Sequence, residues 1–524
     1  MSIASEITRR EFLKCAGALV VAFGLPVELK AQTAPVAKPS GGPLPPNQLD
    51  SWLIVHKDGR VTVMTGKVEL GTGVSTSLRQ IVADELDCPF EKIMWIQGDT
   101  ANTVDQAPTF GSQTIKRGGS QLRQAAAEAK ATLVSLAATR LGASVENLTV
   151  AQGIVSVRDD AKKQVSYADL LGGNSFGTEV TGKIKPKNPG TYTVVGKPVP
   201  RVDIPARATG EHIYVQNFRL PGMFHGRVVR PSAVGAKLVS VDESSIRDVP
   251  GLVKVVVKGN FVGVVCEREE QAIRAAREIR VTWQDPKALP AMSELYEALR
   301  KIPSTDKSAA NSGDVDAALA GSARTFKATY HWPYQLHASI GPSCGVADVK
   351  GDSATIWSET QGSPSIAPDH CTAPWYRRGQ RHGWEPLGPA MVMEVRGGLD
   401  AQGNVVAWDY HVWTPMHSSR PNGSAGSLLA GSLVGMSAGT PNQSGADRNA
   451  NHTYTFKNNR VMVDWLNSSP LRASALRGLG SPQNTFANES FMDELAAASG
   501  ADPVDFRLRY LSDPRAKSGP RVCS

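Results

Sequence analysis

The hydrophobic pattern near the start of the chain predicts two short strands joined by a tight turn. Residues 60–65 alternate between apolar and polar positions, as a half-buried strand does. Residues 52–56 form a similar run, and the Lys57-Asp58-Gly59 segment between the two runs is a hairpin signal. We therefore expect an antiparallel pair here.

A glycine-bearing stretch, residues 66–75, follows this hairpin and leads into a predicted helix. One face of that helix carries Leu78, Ile81, Val82 and Leu86. The hydroxyls of Ser75, Thr76 and Ser77 are expected to cap its N-terminus. A strand, a turn and a helix N-terminus in this order favour an anion, because backbone N–H groups and the helix dipole point at it. The alternative is a purely structural turn.

The next segments extend this pattern into a compact α/β layer. Residues 92–97 predict a strand, and residues 148–157 predict a hairpin around Ala151-Gln152-Gly153. Between them, Ser120 is expected to cap a long helix that ends at Gly142. The apolar face of that helix is predicted to comprise Leu122, Ala126, Ala129, Leu133 and Leu136. A second polar loop, around Ser112, leads towards this helix, so two anion-friendly loops fall in one layer.

The middle of the chain predicts a small α+β region after a joining segment at residues 192–207. The predicted strands are 212–218, 223–230, 252–257, 261–266 and 279–283, with a helix at 269–278. Later strands are predicted at 326–330, 354–358, 391–395 and 405–413. We expect a surface loop at 421–445 and a helix that ends at Gly500.

Composition narrows the class of protein. The chain has 524 residues, 41% hydrophobic and 20% charged, which is typical of a soluble multidomain protein. Its net charge of +8 is not concentrated in any basic run, which disfavours nucleic-acid binding. The six cysteines are far apart, so we expect neither an iron–sulfur cluster nor structural zinc, and we expect small buried side chains instead. No segment is predicted to be a stable membrane span.

The N-terminal residues match an export signal. Arg9 and Arg10 are followed by Phe-Leu-Lys and then by a short apolar run up to Leu25. This pattern is typical of the bacterial twin-arginine pathway, so residues 1–31 are predicted to be a signal peptide and the protein to be periplasmic. The pathway carries folded proteins, which suggests a cofactor loaded before export. Residues 32–50, rich in Ala, Pro, Gly and Ser, are expected to be a linker.

Two later residues are candidates for chemistry. His337 has the side chain of a metal ligand or a base, although a lone histidine near apolar residues is more often a core residue. Arg477 lies among small residues just before a helix, which suits an anionic ligand or transition state; the alternative is a surface arginine beside a turn.

Three groups of segments, in chain order, resemble the molybdenum-binding large subunits of the xanthine oxidase/aldehyde oxidase family. The similarity is greatest to the isoquinoline 1-oxidoreductase and nicotinate dehydrogenase type. The first group is 69–73 with 98–100 and 109–119, the second is 195–203 with 220–231, and the third is 335–339 with 476–483. The ordered set covers nearly all of residues 50–514.

The resemblance implies a molybdenum-bearing pterin, in the form of molybdopterin cytosine dinucleotide. By motif position, Gly71, Thr72 and Gly73 contact this cofactor, together with Gly111, Ser112, Gln113 and Thr114 and with Gly478. Gln335 matches the glutamine that hydrogen-bonds an oxo ligand of the metal. Arg477 matches the arginine that steadies substrate or developing negative charge. No protein side chain is implied as a metal ligand.

The resemblance also implies an activity and an α+β architecture. Family members hydroxylate an electron-poor carbon of an N-heteroaromatic ring or an aldehyde with oxygen from water, and electrons leave through a small [2Fe–2S] subunit, with a cytochrome c as a further acceptor. The implied domains are a pterin-binding α/β domain at 51–190, a hammerhead domain at 191–290 and an incomplete molybdenum-binding domain at 315–514, followed by a tail at 515–524.

The sequence departs from the family pattern at three places. Thr72 stands where the family usually has glutamine, residues 366–381 replace a glycine-rich loop, and a Gly-x-Gly-Glu motif that carries the catalytic glutamate is expected but not found. These departures suggest an internal deletion and a C-terminal truncation. Two hypotheses follow: an oxidoreductase large subunit, or an inactive exported protein of the same fold that binds only a partner or cofactor. An unrelated periplasmic binding protein fits the export signal but not the ordered motifs.

Overall fold

The structure is a computed structural model, which describes residues 44–231, 233–286, 288–338, 343–351, 353–362, 385–417, 425–438 and 443–523. The predicted signal peptide, most of the linker and the 366–381 segment lie outside the described residues. By their contacts the described residues divide into two units. The first contains residues up to Met223 and those from Cys344 to residue 362; the second contains residues 224–343 and those from 385 onwards.

The strands and helices are named here in chain order. The strands are β1 Leu53–Val55, β2 Val61–Thr65, β3 Ile93–Gln97, β4 Leu148–Ala151, β5 Ile154–Val157, β6 Asp160–Ser166, β7 His225–Val229, β8 Lys237–Asp242, β9 Leu252–Lys258, β10 Phe261–Cys266, β11 Arg280–Gln284, β12 Ser304–Ser312, β13 Arg324–Trp332, β14 Gly345–Lys350, β15 Ser353–Ser358, β16 Met391–Leu399, β17 Val405–Pro415 and β18 Asn459–Leu466. The α-helices are α1 Val74–Leu86, α2 Ser120–Leu141, α3 Tyr167–Leu170, α4 Ile204–Ala208, α5 Glu269–Glu278, α6 Leu295–Arg300, α7 Val315–Ala320, α8 Leu429–Leu433, α9 Ser481–Ser499, α10 Pro503–Tyr510 and α11 Pro514–Cys523.

The first unit is an α/β layer. The strand order is β1-β2-β3, with β1 antiparallel and β3 parallel to β2, so the predicted hairpin at residues 52–65 is confirmed. The helices α1 and α2 pack on this sheet, and their shared core contains Leu78, Val82, Leu122 and Leu133. The hairpin predicted at 148–157 is also confirmed and forms a three-stranded sheet with β6. The connection between β2 and β3 contains α1, as parallel pairing requires.

Two predictions about the α2 helix were wrong. Ser120 does not cap it, because a π-helical turn, Thr114–Gly119, runs directly into α2 and the Ser120 hydroxyl instead donates to the Lys116 carbonyl. Leu136 is 40% exposed rather than part of the buried face. The predicted end of the helix is confirmed, since Gly142 has a φ of 62° and caps it.

The second unit contains two small antiparallel sheets and one larger sheet. The order β7-β10-β9 and the pair β11-β8 surround α5, which forms with the bounds that its pattern predicts. The five-stranded sheet has the order β12-β18-β17-β16-β13, and its only parallel pair in the described residues is β17 with β18. Trp408, Trp465 and Phe491 are fully buried between this sheet and α9.

Two other predicted elements were wrong. Residues 212–218 form no strand; Val215–Asn217 is a short 3₁₀ turn. Within the predicted surface loop at 421–445, α8 is a helix and Ala430 in it is 4% exposed. The strand β8 has no counterpart in the predictions. Its alternation is weak because most of its residues are exposed, so no buried face marks it in the sequence.

Candidate cofactor site

The N-terminus of α1 is capped by a carboxylate from its own turn. Glu69 accepts a hydrogen bond from the Gly73 N–H at 2.9 Å and one from the Ser75 N–H at 3.0 Å. Burial alone would raise the pKa of Glu69, but these backbone hydrogen bonds outweigh burial and lower it below the ordinary value. The hydroxyl cap predicted from Ser75, Thr76 and Ser77 was wrong, because the N-cap residue is Gly73, which has no side chain.

Arg201 covers the same turn within the first unit. Its Nη1 donates to the Gly71 carbonyl at 3.0 Å, and Asp203 holds the guanidinium by an ion pair of 2.7 Å. Gly73 has a φ of 80°, a left-handed conformation that glycine adopts without strain, and a side-chain carbon there would make only ordinary contact with Arg201 Cδ, at 3.4 Å. The remaining open part of the turn is Leu70, Gly71 and Thr72, which are exposed.

Buried polar side chains tie this turn to the second predicted loop. Lys67 is 2% exposed and donates its Nζ to the carbonyls of Ala107 and Pro108, at 2.9 and 3.1 Å. Burial lowers the pKa of Lys67, and the charge of Arg117 acts in the same direction. Just before Lys67 in the chain, the Thr65 hydroxyl and the Gly66 N–H both donate to the amide oxygen of Gln106. The two loops are therefore neighbours, as the sequence predicted.

The loop at Gly111–Thr114 presents unused backbone donors. Gly111 and Ser112 have φ values of 62° and 58°, a left-handed conformation that is uncommon for serine. In the described part of the chain, no acceptor is hydrogen-bonded to the N–H of Gly111 or of Ser112. Gln113 and then the π-helical turn follow at once, and Thr114 is buried. Successive free N–H groups at the start of a helix form a concavity that binds anions.

In the second unit, residues 387–388 connect the other two predicted site residues. Gln335 and Gly388 exchange two backbone hydrogen bonds, of 3.1 and 2.8 Å. Leu387 bonds in parallel register to the segment at Ala473, just before the predicted Leu476–Gln483 motif. A side chain at Gly388 would lie 3.0 Å from Leu476 and 3.5 Å from Gln335. Glycine therefore allows the segments that carry Gln335 and Arg477 to lie side by side.

Arg477 and Gln335 keep free side chains in this arrangement. Arg477 is exposed and Gln335 is half-buried, and neither side chain bonds to another described residue. Gly478, with a φ of 92°, turns the backbone directly after Arg477 and leads into α9. An unpaired guanidinium and an unpaired amide on adjoining segments are donors that suit an anionic or electron-rich ligand.

His337 is not a core residue, so that interpretation was wrong. Its side chain is exposed, and Nε2 lies 2.9 Å from the Ala475 carbonyl, which adds a third link between the two segments. Across the described residues, no three His, Cys, Asp or Glu side chains form a group able to hold a metal ion. Cys88, Cys266 and Cys344 are buried, as expected for small core side chains. No helix in the described ranges is long and apolar enough to cross a bilayer.

The structure thus brings the predicted residues together in two sets. In the first unit, Lys67 and Val68, which precede Gly71–Gly73, bond to Ala107 and Thr109, which precede the Gly111–Thr114 loop. Gln335, Arg477 and Gly478 lie on adjoining segments of the second. Sequence reasoning missed the residues that hold these sets, namely Glu69, Lys67, Gln106, Arg201 and Gly388. A signal existed for Glu69 alone, since the helix dipole favours a carboxylate close to a helix N-terminus.

All the predicted site residues except Gln335 fall within known cofactor domains. A molybdopterin cofactor-binding domain matches residues 32–212, and a second molybdopterin cofactor-binding domain matches residues 376–511. The chain belongs to the xanthine oxidase family, among its molybdenum-binding large subunits. The α+β architecture expected from the resemblance is confirmed.

The chain is similar to several curated proteins and solved structures. It is 37% identical to a nicotinate dehydrogenase subunit of Pseudomonas putida, over 93% of this chain and 45% of that protein. It is 26% identical to the beta subunit of the isoquinoline 1-oxidoreductase of Brevundimonas diminuta, over 97% of this chain and 75% of that protein. The aldehyde oxidoreductase of Desulfovibrio gigas aligns with a TM-score of 0.47 and 18% identity, over 59% of this chain and 42% of that one. The chain thus spans less than half of the first of these relatives.

The residues fit a phosphate-bearing pterin. In the first matched domain, the unpaired N–H groups of Gly111 and Ser112 are donors of the kind that binds phosphate. The guanidinium of Arg477 is an unpaired donor in the second matched domain, and the unpaired amide of Gln335 lies on a segment before that domain. The assignment of Gly71, Thr72 and Gly73 to the cofactor stays a prediction, with the Leu70–Thr72 face as the part still open.

Proposed function

We propose that the chain is the cofactor-binding large subunit of a molybdenum hydroxylase. It would hydroxylate an electron-poor carbon of an N-heteroaromatic compound or an aldehyde with oxygen from water. The observation that carries this proposal is the meeting of Gln335 and the Arg477 turn across Gly388, with both side chains free in the described residues. The name of the nicotinate dehydrogenase relative supports an N-heteroaromatic substrate.

Each set of residues has a separate role in this proposal. The backbone donors of Gly111 and Ser112 bind the phosphates of molybdopterin cytosine dinucleotide, and Lys67 keeps that loop beside the Leu70–Thr72 face. When bound, the molybdenum centre supplies a two-electron oxidation. Gln335 orients the bound group through its amide. Arg477 stabilises negative charge that develops on the substrate, because a guanidinium donates several charge-assisted hydrogen bonds.

The partners and the location belong to the same proposal. The names of two relatives as subunits support a multi-subunit enzyme, so we expect a small [2Fe–2S] subunit as electron acceptor and a cytochrome c beyond it. Arg9 and Arg10 support export of the loaded protein to the periplasm by the twin-arginine pathway. Replacing both arginines with lysine should leave the protein in the cytoplasm; unchanged export, measured by fractionation, would contradict this.

The test is to co-express the chain with an iron–sulfur subunit in a host that makes the cytosine dinucleotide cofactor. We expect molybdenum and oxidised pterin fluorescence to co-purify with the chain, and N-heteroaromatic or aldehyde substrates to reduce an electron-accepting dye. Arg477→Ala should lower turnover about a hundredfold while the molybdenum content stays constant. Arg448→Ala, at another exposed arginine of the second unit, is the control and should change neither.

The same experiment separates the two hypotheses. Molybdenum without turnover in any substrate would support an inactive cofactor-binding protein of this fold. A purified chain with neither molybdenum nor pterin would end the cofactor proposal.

A further inference from the structure

The turn that carries Arg477 has an unusual backbone. Gly478 has a φ of 92° and the following Leu479 has a φ of 56°. A left-handed conformation is common for glycine but strained for a branched side chain such as leucine. Such a conformation persists only where the surroundings hold it, and such positions cluster at functional sites. What holds Leu479 therefore also holds the backbone next to Arg477.

Gln483 closes one side of this turn. It is 1% exposed and lies in the first turn of α9. With its amide nitrogen towards the turn, Gln483 donates to the Leu479 carbonyl at 2.8 Å and to the Gly480 carbonyl at 3.3 Å. These carbonyls lie beside the strained residue. A buried amide with two such bonds is costly to remove, because the Leu479 carbonyl would lose this donor; the Gly480 carbonyl keeps the Asn484 N–H at 3.0 Å.

The other side of the turn rests on residues 445–446. The Gly480 N–H donates to the Gly445 carbonyl at 2.9 Å. A side-chain carbon at Gly445 would meet Leu479 Cδ1 at 2.9 Å and the fully buried His417 at 3.5 Å. The turn is thus enclosed by packing on this side and by the Gln483 amide on the other. The Arg477 side chain makes no hydrogen bond or ion pair with another described residue.

We propose that Gln483 is the positioning residue for Arg477: its amide holds the left-handed Leu479 and so sets where the guanidinium stands. The inference rests on the proposed function for its catalytic consequence. The structural claim, that Gln483 stabilises this turn, depends only on the contact between Gln483 and Leu479.

The experiment compares Gln483→Met with Asn488→Leu in the full chain. Asn488 is a matched control, since it is 2% exposed, lies in the same helix and donates to the carbonyls of Asn449 and Ala450. Hydrogen exchange should show protection at Leu479, Gly480 and Ser481 reduced about tenfold in Gln483→Met, because the turn opens more often. The Asn488→Leu variant should keep wild-type protection there.

The loaded complex provides the second measurement. Gln483→Met should lower kcat about 10- to 100-fold with KM and molybdenum content unchanged, since a misplaced group loses transition-state stabilisation rather than binding. Gln483→Glu is a milder variant that keeps the length. Its buried carboxyl, protonated because burial raises the pKa, can donate one bond to the Leu479 carbonyl. It should recover part of both the protection and kcat.

Wild-type protection in Gln483→Met, or an equal loss in Asn488→Leu, would overturn the proposal. So would an unchanged kcat in an active complex whose turn has loosened. If the wild-type complex shows no turnover with any substrate, the proposed function fails, and the exchange data alone decide whether Gln483 holds the turn.

Discussion

The turn at Gly71–Gly73 and the loop at Gly111–Thr114 both precede helices in the first unit. They differ in whether their backbone N–H groups are available to an anion. In the first, Glu69 already occupies the N–H groups of Gly73 and Ser75. In the second, the N–H groups of Gly111 and Ser112 bond to no described residue. The comparison shows that a glycine turn before a helix is not by itself an anion site. The site exists only where the chain leaves its own donors unsatisfied.

Lys67 determines whether the two loops stay together, and its loss should have the largest effect. Lys67→Met keeps the length but removes the donors that the Ala107 and Pro108 carbonyls share. We expect a loss of about 2–4 kcal/mol in the free energy of unfolding, since two buried carbonyls lose a charged donor. Urea unfolding measures this, with the exposed Lys116→Met as control. A loss equal to that of the control would show that the loops do not depend on Lys67.

A substitution in the Gly111–Thr114 loop should lower cofactor binding. Ser112→Val adds a β-branched side chain at a φ of 58° and should remove the left-handed conformation that exposes the two N–H groups. One lost bond to a phosphate is worth about 1.5–3 kcal/mol of binding free energy. The affinity for pyrophosphate, measured by thermal stabilisation, should therefore fall about tenfold or more, and the molybdenum content should fall with it.

The control for this variant is Gln152→Val, because Gln152 is also exposed and has a φ of 56° in the β4–β5 hairpin. Both variants should lose similar stability from backbone strain, and only Ser112→Val should lose cofactor. If both variants retain molybdenum equally, the contrast between the two loops is broken.

At the Gly71–Gly73 turn, the stability that Glu69 adds should depend on pH rather than on phosphate. Its loss should have the smallest effect of the three substitutions. Glu69→Gln should lower the free energy of unfolding by about 1 kcal/mol at neutral pH, as loss of a helix cap does. Because the folded pKa of Glu69 is below its ordinary value of 4.5, the stability it adds is present above that pH. It is lost as the pH falls through the folded pKa.

The stability difference between wild type and Glu69→Gln should therefore disappear in acid, which thermal unfolding at a series of pH values measures. Pyrophosphate should stabilise both proteins equally at neutral pH. Stronger pyrophosphate stabilisation of Glu69→Gln would show that freeing the Gly73 and Ser75 donors creates a second anion site.

The sequence by itself determined the elements with strong local signals. The period of α1, the αL glycines at Gly142 and Gly500, and the hairpins at 53–65 and 148–157 all formed as predicted, because side-chain period and turn chemistry are local properties. The ordered motifs also identified the family correctly.

Only the tertiary structure decided which donors stay free and which segments meet. Glu69 occupies the N–H of Gly73, which the sequence assigned to the cofactor. Gln106 and Lys67 form bonds across about forty residues of chain that the sequence did not predict. The β-bridges through Leu387 and Gly388 join Gln335 to the Arg477 turn across a still longer separation. No local pattern encodes such pairing, because it depends on which buried polar groups find a partner once the core has formed. For this chain, sequence identified the residues of the candidate site, and folding decided which of them remain available to a ligand.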